Sequence, residues 1–150
     1  MKKSSAVLII FSLLLLVGAS FLSVFFMKKG RDRVVMYFTA YDSDDVCTEV
    51  RYLPKNSVQG DVALLVDELL LGPMTNRYKR LFASGTRAEF CMVQDDVLYV
   101  GLSKDALSYS GDAADLKTGI ELLKVNIVKK FTKIKTVLVY IDGKAVYEEN

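Results

Sequence analysis

The chain has 150 residues, two cysteines and no histidine, which removes the commonest general base and any Ser-His or Cys-His nucleophile pair. Two thiolates 44 residues apart, with no CxxC spacing, cannot complete a tetrahedral zinc site. The formal charge of +2 belongs to the N-terminal flanks: Val34–Asn150 holds 14 bases against 17 acids, a net of −3, which argues against a globally basic nucleic-acid binder.

In chain order the first feature is an uncharged run of 24 residues, Ser4 to Met27. As a helix it would reach roughly 36 Å, enough to cross a ~30 Å hydrocarbon core. Lys2 and Lys3 flank one end; Lys28, Lys29, Arg31 and Arg33 flank the other. The run therefore predicts one N-terminal transmembrane helix, with residues 1–33 as anchor and flanks and 34–150 as one domain. The competing reading is a cleaved signal peptide, with Val17-Gly18-Ala19 offering a cut before Ser20. Phe21 to Phe26 prolongs the apolar stretch beyond that point and favours the uncleaved anchor. Counting basic residues on the two flanks leans weakly toward a cytoplasmic domain.

Arg33 to Thr39 is β-branched and aromatic and predicts a strand. A turn at Asp42-Ser43-Asp44-Asp45 and a second strand, Cys47 to Leu53, follow, and Pro54 stops it. Val62, Leu65, Val66, Leu69 and Leu70 recur at helical spacing behind Asp61, read as the cap, and Gly72-Pro73 ends that helix. Thr86–Val93 and Val97–Leu102 flank Gln94-Asp95-Asp96 as a hairpin. A second helix runs from Ala113 to Phe131 on a stripe of Leu116, Ile120, Leu123, Ile127 and Phe131. Val137 to Ile141 is the last strand, closed by Asp142-Gly143. The order β-β-α-β-β-α-β predicts an α+β two-layer sandwich, with two helices on one face of a mixed sheet of about five strands.

Chemistry-bearing clusters are few. Asp42, Asp44, Asp45 and Glu49 lack the glycine and ligand spacing of a calcium loop, and read as a solvated turn. Ser84 precedes a glycine without SxxK or GxSxG context and reads as turn punctuation, and Asp95-Asp96 reads as a solvated turn. An activity lost on substitution of Ser84, Asp95 or Lys104 is what an enzyme reading would require. Lys124, Lys129, Lys130, Lys133 and Lys135 gather at the end of the second helix, where cations suit the helix dipole. The functional alternative is a surface for anionic lipid headgroups or an acidic partner. For Cys47 and Cys91 two readings stay open: a disulfide in an oxidising compartment, or two small buried thiols.

Several strings together resemble the GerMN domain family of sporulation and spore-germination proteins. They are Val35-Met36-Tyr37-Phe38, Val50-Arg51-Tyr52-Leu53, and above all Asp67-Glu68-Leu69-Leu70-Leu71-Gly72-Pro73. Ser84-Gly85-Thr86, the hairpin Asp95-Asp96-Val97-Leu98-Tyr99-Val100 and Val139-Tyr140-Ile141-Asp142-Gly143 complete the pattern. The chain departs from it at Ala83-Ser84, where the family has a proline before Gly-Thr, and at Lys124-Val125-Asn126, which replaces a small, Thr-containing stretch. The resemblance implies a non-enzymatic, extracytoplasmic domain at the cell membrane, without catalytic residues or cofactor. Such a domain works as a scaffold in contact with other envelope proteins or further copies of itself, as in the side-by-side packing of ring-building domains. It also implies that a Cys47–Cys91 disulfide is allowed. The alternative function is an extracytoplasmic ligand-binding module for a cell-wall fragment, lipid or metal.

Overall fold

A computed structural model describes residues 10–18, 20, 30–43 and 45–146. They belong to two compact units, Met1–Arg31 and Asp32–Asn150. In the first, residues 10–18 form a helix, α1. No helix among the described residues is long and apolar enough to cross a membrane, which overturns the transmembrane helix read over Ser4–Met27. The remainder of that run lies outside the described residues.

The second unit is a mixed α+β domain. Strands β1 (Arg31–Thr39) and β2 (Val46–Pro54) pair with each other; helix α2 (Asp61–Leu71) follows; then come β3 (Ala88–Gln94), β4 (Val97–Leu102), α3 (Leu116–Lys130), β5 (Thr136–Ile141) and the two-residue β6 (Lys144–Ala145). The predicted single sheet of about five strands is corrected here. There are two sheets, a β1-β2 ribbon and a four-stranded sheet ordered β3-β4-β5-β6. β3 and β4 form an antiparallel hairpin, β4 and β5 are parallel with α3 in the crossover between them, and β5–β6 is antiparallel.

The ribbon stays separate because the second edge of β1 is occupied. Asn126 on α3 accepts from the Tyr37 N–H at 2.8 Å and donates to the Tyr37 carbonyl at 3.0 Å, the two bonds a neighbouring strand would supply. Farther along the same edge, Lys79 N–H donates to Thr39 and Tyr41 N–H donates to Arg77. Asn126 is 1% exposed and also donates to the Leu122 carbonyl.

Arg51 on β2 makes the second tie. It is buried, and its guanidinium donates to the Glu68 carbonyl (3.2 Å) and to the Gly72 carbonyl (2.6 Å), groups at the C-terminus of α2 that lack intrahelical partners. Glu49 (2.7 Å) and Glu68 (3.0 Å) neutralise it, and the Phe38 ring lies 6.0 Å away. Gly72 stands at φ +86°, and a side chain there would press on Arg80 Cγ at 2.9 Å, so only glycine meets both demands. Arg80 in turn donates to the Leu71 carbonyl at 2.8 Å. Asp61 proves to be the first helical residue rather than the cap, and its carboxylate accepts from Ser57 N–H.

α3 starts at Leu116, three residues later than the periodicity predicts. Ala114 N–H donates to the Arg80 carbonyl, drawing Ala113 and Ala114 into a bridge, and Asp115 becomes the cap by accepting from Thr118 N–H at 3.0 Å. Gly119 lets the helix sit directly on the Leu81 carbonyl. The core unites Met36, Phe38, Leu65, Val66, Leu69, Leu98, Val100, Leu123, Ile127 and Val139. Among the described residues every buried core side chain lies between Val34 and Ile141, so the second compact unit carries its own core.

Asn126→Ala leaves both Tyr37 backbone groups without partners and is expected to cost about 3 kcal/mol, read as a lowered urea midpoint at unchanged m. Hydrogen bonds from Thr118 hold the Asp115 carboxyl below its ordinary value of 3.8. A depressed folded-state pKa gives stability that is complete above the unfolded value and is lost as pH falls through the folded one. Asp115→Ala should therefore cost about 1 kcal/mol at neutral pH, with the difference from the parent vanishing on acidification below pH ~4.

Candidate interaction surface

The pleat sends alternate residues of the four-stranded sheet to opposite sides. Leu98, Val100 and Leu102 of β4 and Val137, Val139 and Ile141 of β5 are buried beneath the helices. The residues between them face away. Met92, Tyr99 and Leu138 are matched in register across three strands, and so are Phe90, Gly101 and Tyr140. Met92 is 55% exposed, Phe90 41% and Leu138 40%, large apolar groups on a face that neither α2 nor α3 covers.

A bulge decides which β3 residues belong to that face. Ala88 pairs with Leu102 on the core side, but Phe90, two residues on, pairs with Gly101 on the outer side. Glu89 is the extra residue that reverses the alternation. Phe90 then lies flat over Gly101, where any Cβ would collide with its ring, and its centroid is 5.8 Å from that of Tyr140. Such an aromatic cover replaces packing that glycine cannot supply. Cys91, opposite Val100, points inward, and burial, reinforced by Asp67, pushes its thiol pKa up.

The residues singled out in the sequence are dispersed. Cys47 on β2 and Cys91 on β3 stand in different sheets as free thiols. Lys129 and Lys130 go to different partners on β1: the Lys129 amine lies 4.2 Å from the Tyr37 ring centroid, and Lys130 pairs with Asp32. That hydrogen bond with Lys130 is the main reason the Asp32 carboxyl titrates below its ordinary range. Lys124 is half-buried on α3; Lys133 and Lys135 are exposed in the following loop, where Lys135 N–H donates to the Asp96 carbonyl. Ser84 precedes Gly85 in a turn closed by Thr86, whose N–H and hydroxyl both donate to Ala83. Asp95 occupies the β3–β4 turn at φ +56°, and Lys104 opens a 3₁₀ turn, Lys104–Leu107. Asp45 bonds Ser43, and Glu49 is committed to Arg51; Asp44 lies outside the described residues. Among the described residues no three Cys, Asp or Glu side chains gather as a metal site would require.

Between sheet and helices the packing is solid: Leu98, Val100, Leu123 and Ile127 have no exposed surface. A cleft between ribbon and helices, lined by Val34, Leu53, Leu65 and Phe131, offers about 60 Å³, too little for a cell-wall fragment. A shallower depression of about 320 Å³ lies beside Phe82, Tyr109 and Leu116, open to solvent. The apolar sheet face was missed in the sequence because outward residues on a half-buried sheet are ordinarily polar. The signal was there in Met92, Tyr99, Leu138 and Tyr140.

The model of the Germane family, described as sporulation and spore germination, matches residues 35–147. An uncharacterized lipoprotein of Treponema pallidum (strain Nichols) is 33% identical over 91 residues, 61% of this chain and 68% of that one. The first GerMN domain of the sporulation protein GerM from Bacillus subtilis has the same fold, with a TM-score of 0.62 at 15% identity over 78% of this chain and 87% of that one. The tandem GerMN domains of the same protein give a TM-score of 0.60 at 13% identity, covering 78% of this chain and 41% of that one.

If the outward face is a docking surface and not a supporting one, Leu138→Lys and Met92→Lys should each change stability by no more than about 0.5 kcal/mol. Val139→Lys, one residue away and facing the core, should abolish cooperative thermal unfolding.

Proposed function

The chain belongs to the Germane family, and from that premise we propose that it is a non-enzymatic, membrane-attached envelope protein whose domain docks another envelope protein. The apolar outer face of the four-stranded sheet carries this reading. Monomeric domains rarely leave a contiguous apolar surface open unless something binds there. Phe90, Met92, Tyr99, Leu138 and Tyr140 give it aromatic residues and methionine, the types enriched in interfaces, and none of them is charged. The partner surface they fit is equally apolar and poor in charge. The lipoprotein relative supports attachment to a membrane with the domain on its outer side. The solid packing between sheet and helices favours a scaffold over a module that encloses a ligand.

In-cell photocrosslinking tests the reading. A benzoylphenylalanine at position 138 should capture an envelope protein, while the same probe at Val58, a fully exposed position away from the sheet, should not. Leu138→Lys should weaken co-purification of that partner at least tenfold, the scale of one well-packed apolar contact. Equal capture at both positions, or none at 138, would remove the sheet face from the account.

A further inference from the structure

The outward side of the β1-β2 ribbon has a different chemistry. β1 turns Val34, Met36 and Phe38 to the core, so Arg33, Val35 and Tyr37 alternate to the other side at intervals of about 6.6 Å, Arg33 exposed and Val35 and Tyr37 half-buried. β2 turns Arg51 and Leu53 inward and leaves Val46, Val50 and Tyr52 out, with Tyr52 59% exposed and Val50 42%. α3 lies along the β1 edge with Asn126 in line with the strand, and one turn later Lys129 reaches over the Tyr37 ring. Val125, exposed four residues before Lys129, adjoins it on the helix surface. The result is an apolar, tyrosine-bearing surface edged by Arg33 and Lys129.

We propose that this face rests on the anionic surface of a lipid bilayer. Tyrosines settle at the level of the headgroups, and each cation held near an anionic surface favours binding about fivefold. Charge complementarity selects that partner: the domain as a whole is acidic, so an anionic surface repels it except where cations edge an apolar patch. The ribbon and the four-stranded sheet turn their inner faces to one core, so the protein-docking face points elsewhere and stays free. The proposal rests on the membrane attachment inferred above, and fractionation of the full chain with cell membranes tests that attachment separately.

The docking test uses residues 30–150, whose core is complete, mixed with sedimenting vesicles of phosphatidylcholine with or without phosphatidylglycerol. The domain should pellet with the anionic vesicles and not with the neutral ones, and inorganic phosphate should not compete. Arg33→Glu and Lys129→Glu should each lower binding at least fivefold and Val50→Asp should do the same, whereas Leu138→Lys should leave it unchanged. Arg33→Gln, at an exposed position, serves as the variant least able to disturb the fold. The proposal is overturned by equal pelleting with neutral vesicles, by loss of binding in Leu138→Lys, or by failure to pellet with anionic ones.

Discussion

Asn126 gives the Tyr37 backbone the pair of hydrogen bonds that a strand would give, and the arrangement of both sheets follows from that substitution. A buried amide with all of its bonds made is favourable; with any of them lost it costs more than an apolar residue would. The ribbon is thereby fixed against a helix instead of being zipped into the larger sheet. Its placement depends on this amide, on two loop hydrogen bonds farther along the same edge and on Arg51, where a ladder would spread the work over many residues.

Arg51 holds the other end of the ribbon under similar terms. Its charge is buried, and burial is tolerable because two carboxylates and two carbonyls at the end of α2 surround it. Glu49 also accepts from Met74 N–H, so the same network orders the backbone beyond Pro73. The Leu-Leu-Leu-Gly-Pro segment is therefore more than a helix stop: it presents bare carbonyls to an arginine 17 to 21 positions earlier in the chain.

Local features were legible in the sequence where local physics governs them. The helical spacing of Leu65, Val66, Leu69 and Leu70 marks the buried face of α2, and the alternation of Leu98, Val100 and Leu102 marks that of β4. What could not be read depends on pairs distant in the chain. Nothing near Tyr37 says that its partner is a side chain 89 positions later. Asn126 registered only as a departure from the family pattern, and that departure is the tie itself. The terminal lysines of α3 read as one dipole-complementing group, yet Lys129 and Lys130 have separate partners because consecutive helical residues point about 100° apart. The first thirty residues were read from length and apolarity alone, and no helix among the described residues is long and apolar enough to cross a membrane.

The bulge at Glu89 separates two kinds of selection on this fold. The core answers to volume and burial, but the outer sheet face answers to a count of residues, since one residue more or fewer in β3 exchanges Phe90 for its neighbour. A relative without that extra residue could keep the same layers and present a different chemical surface.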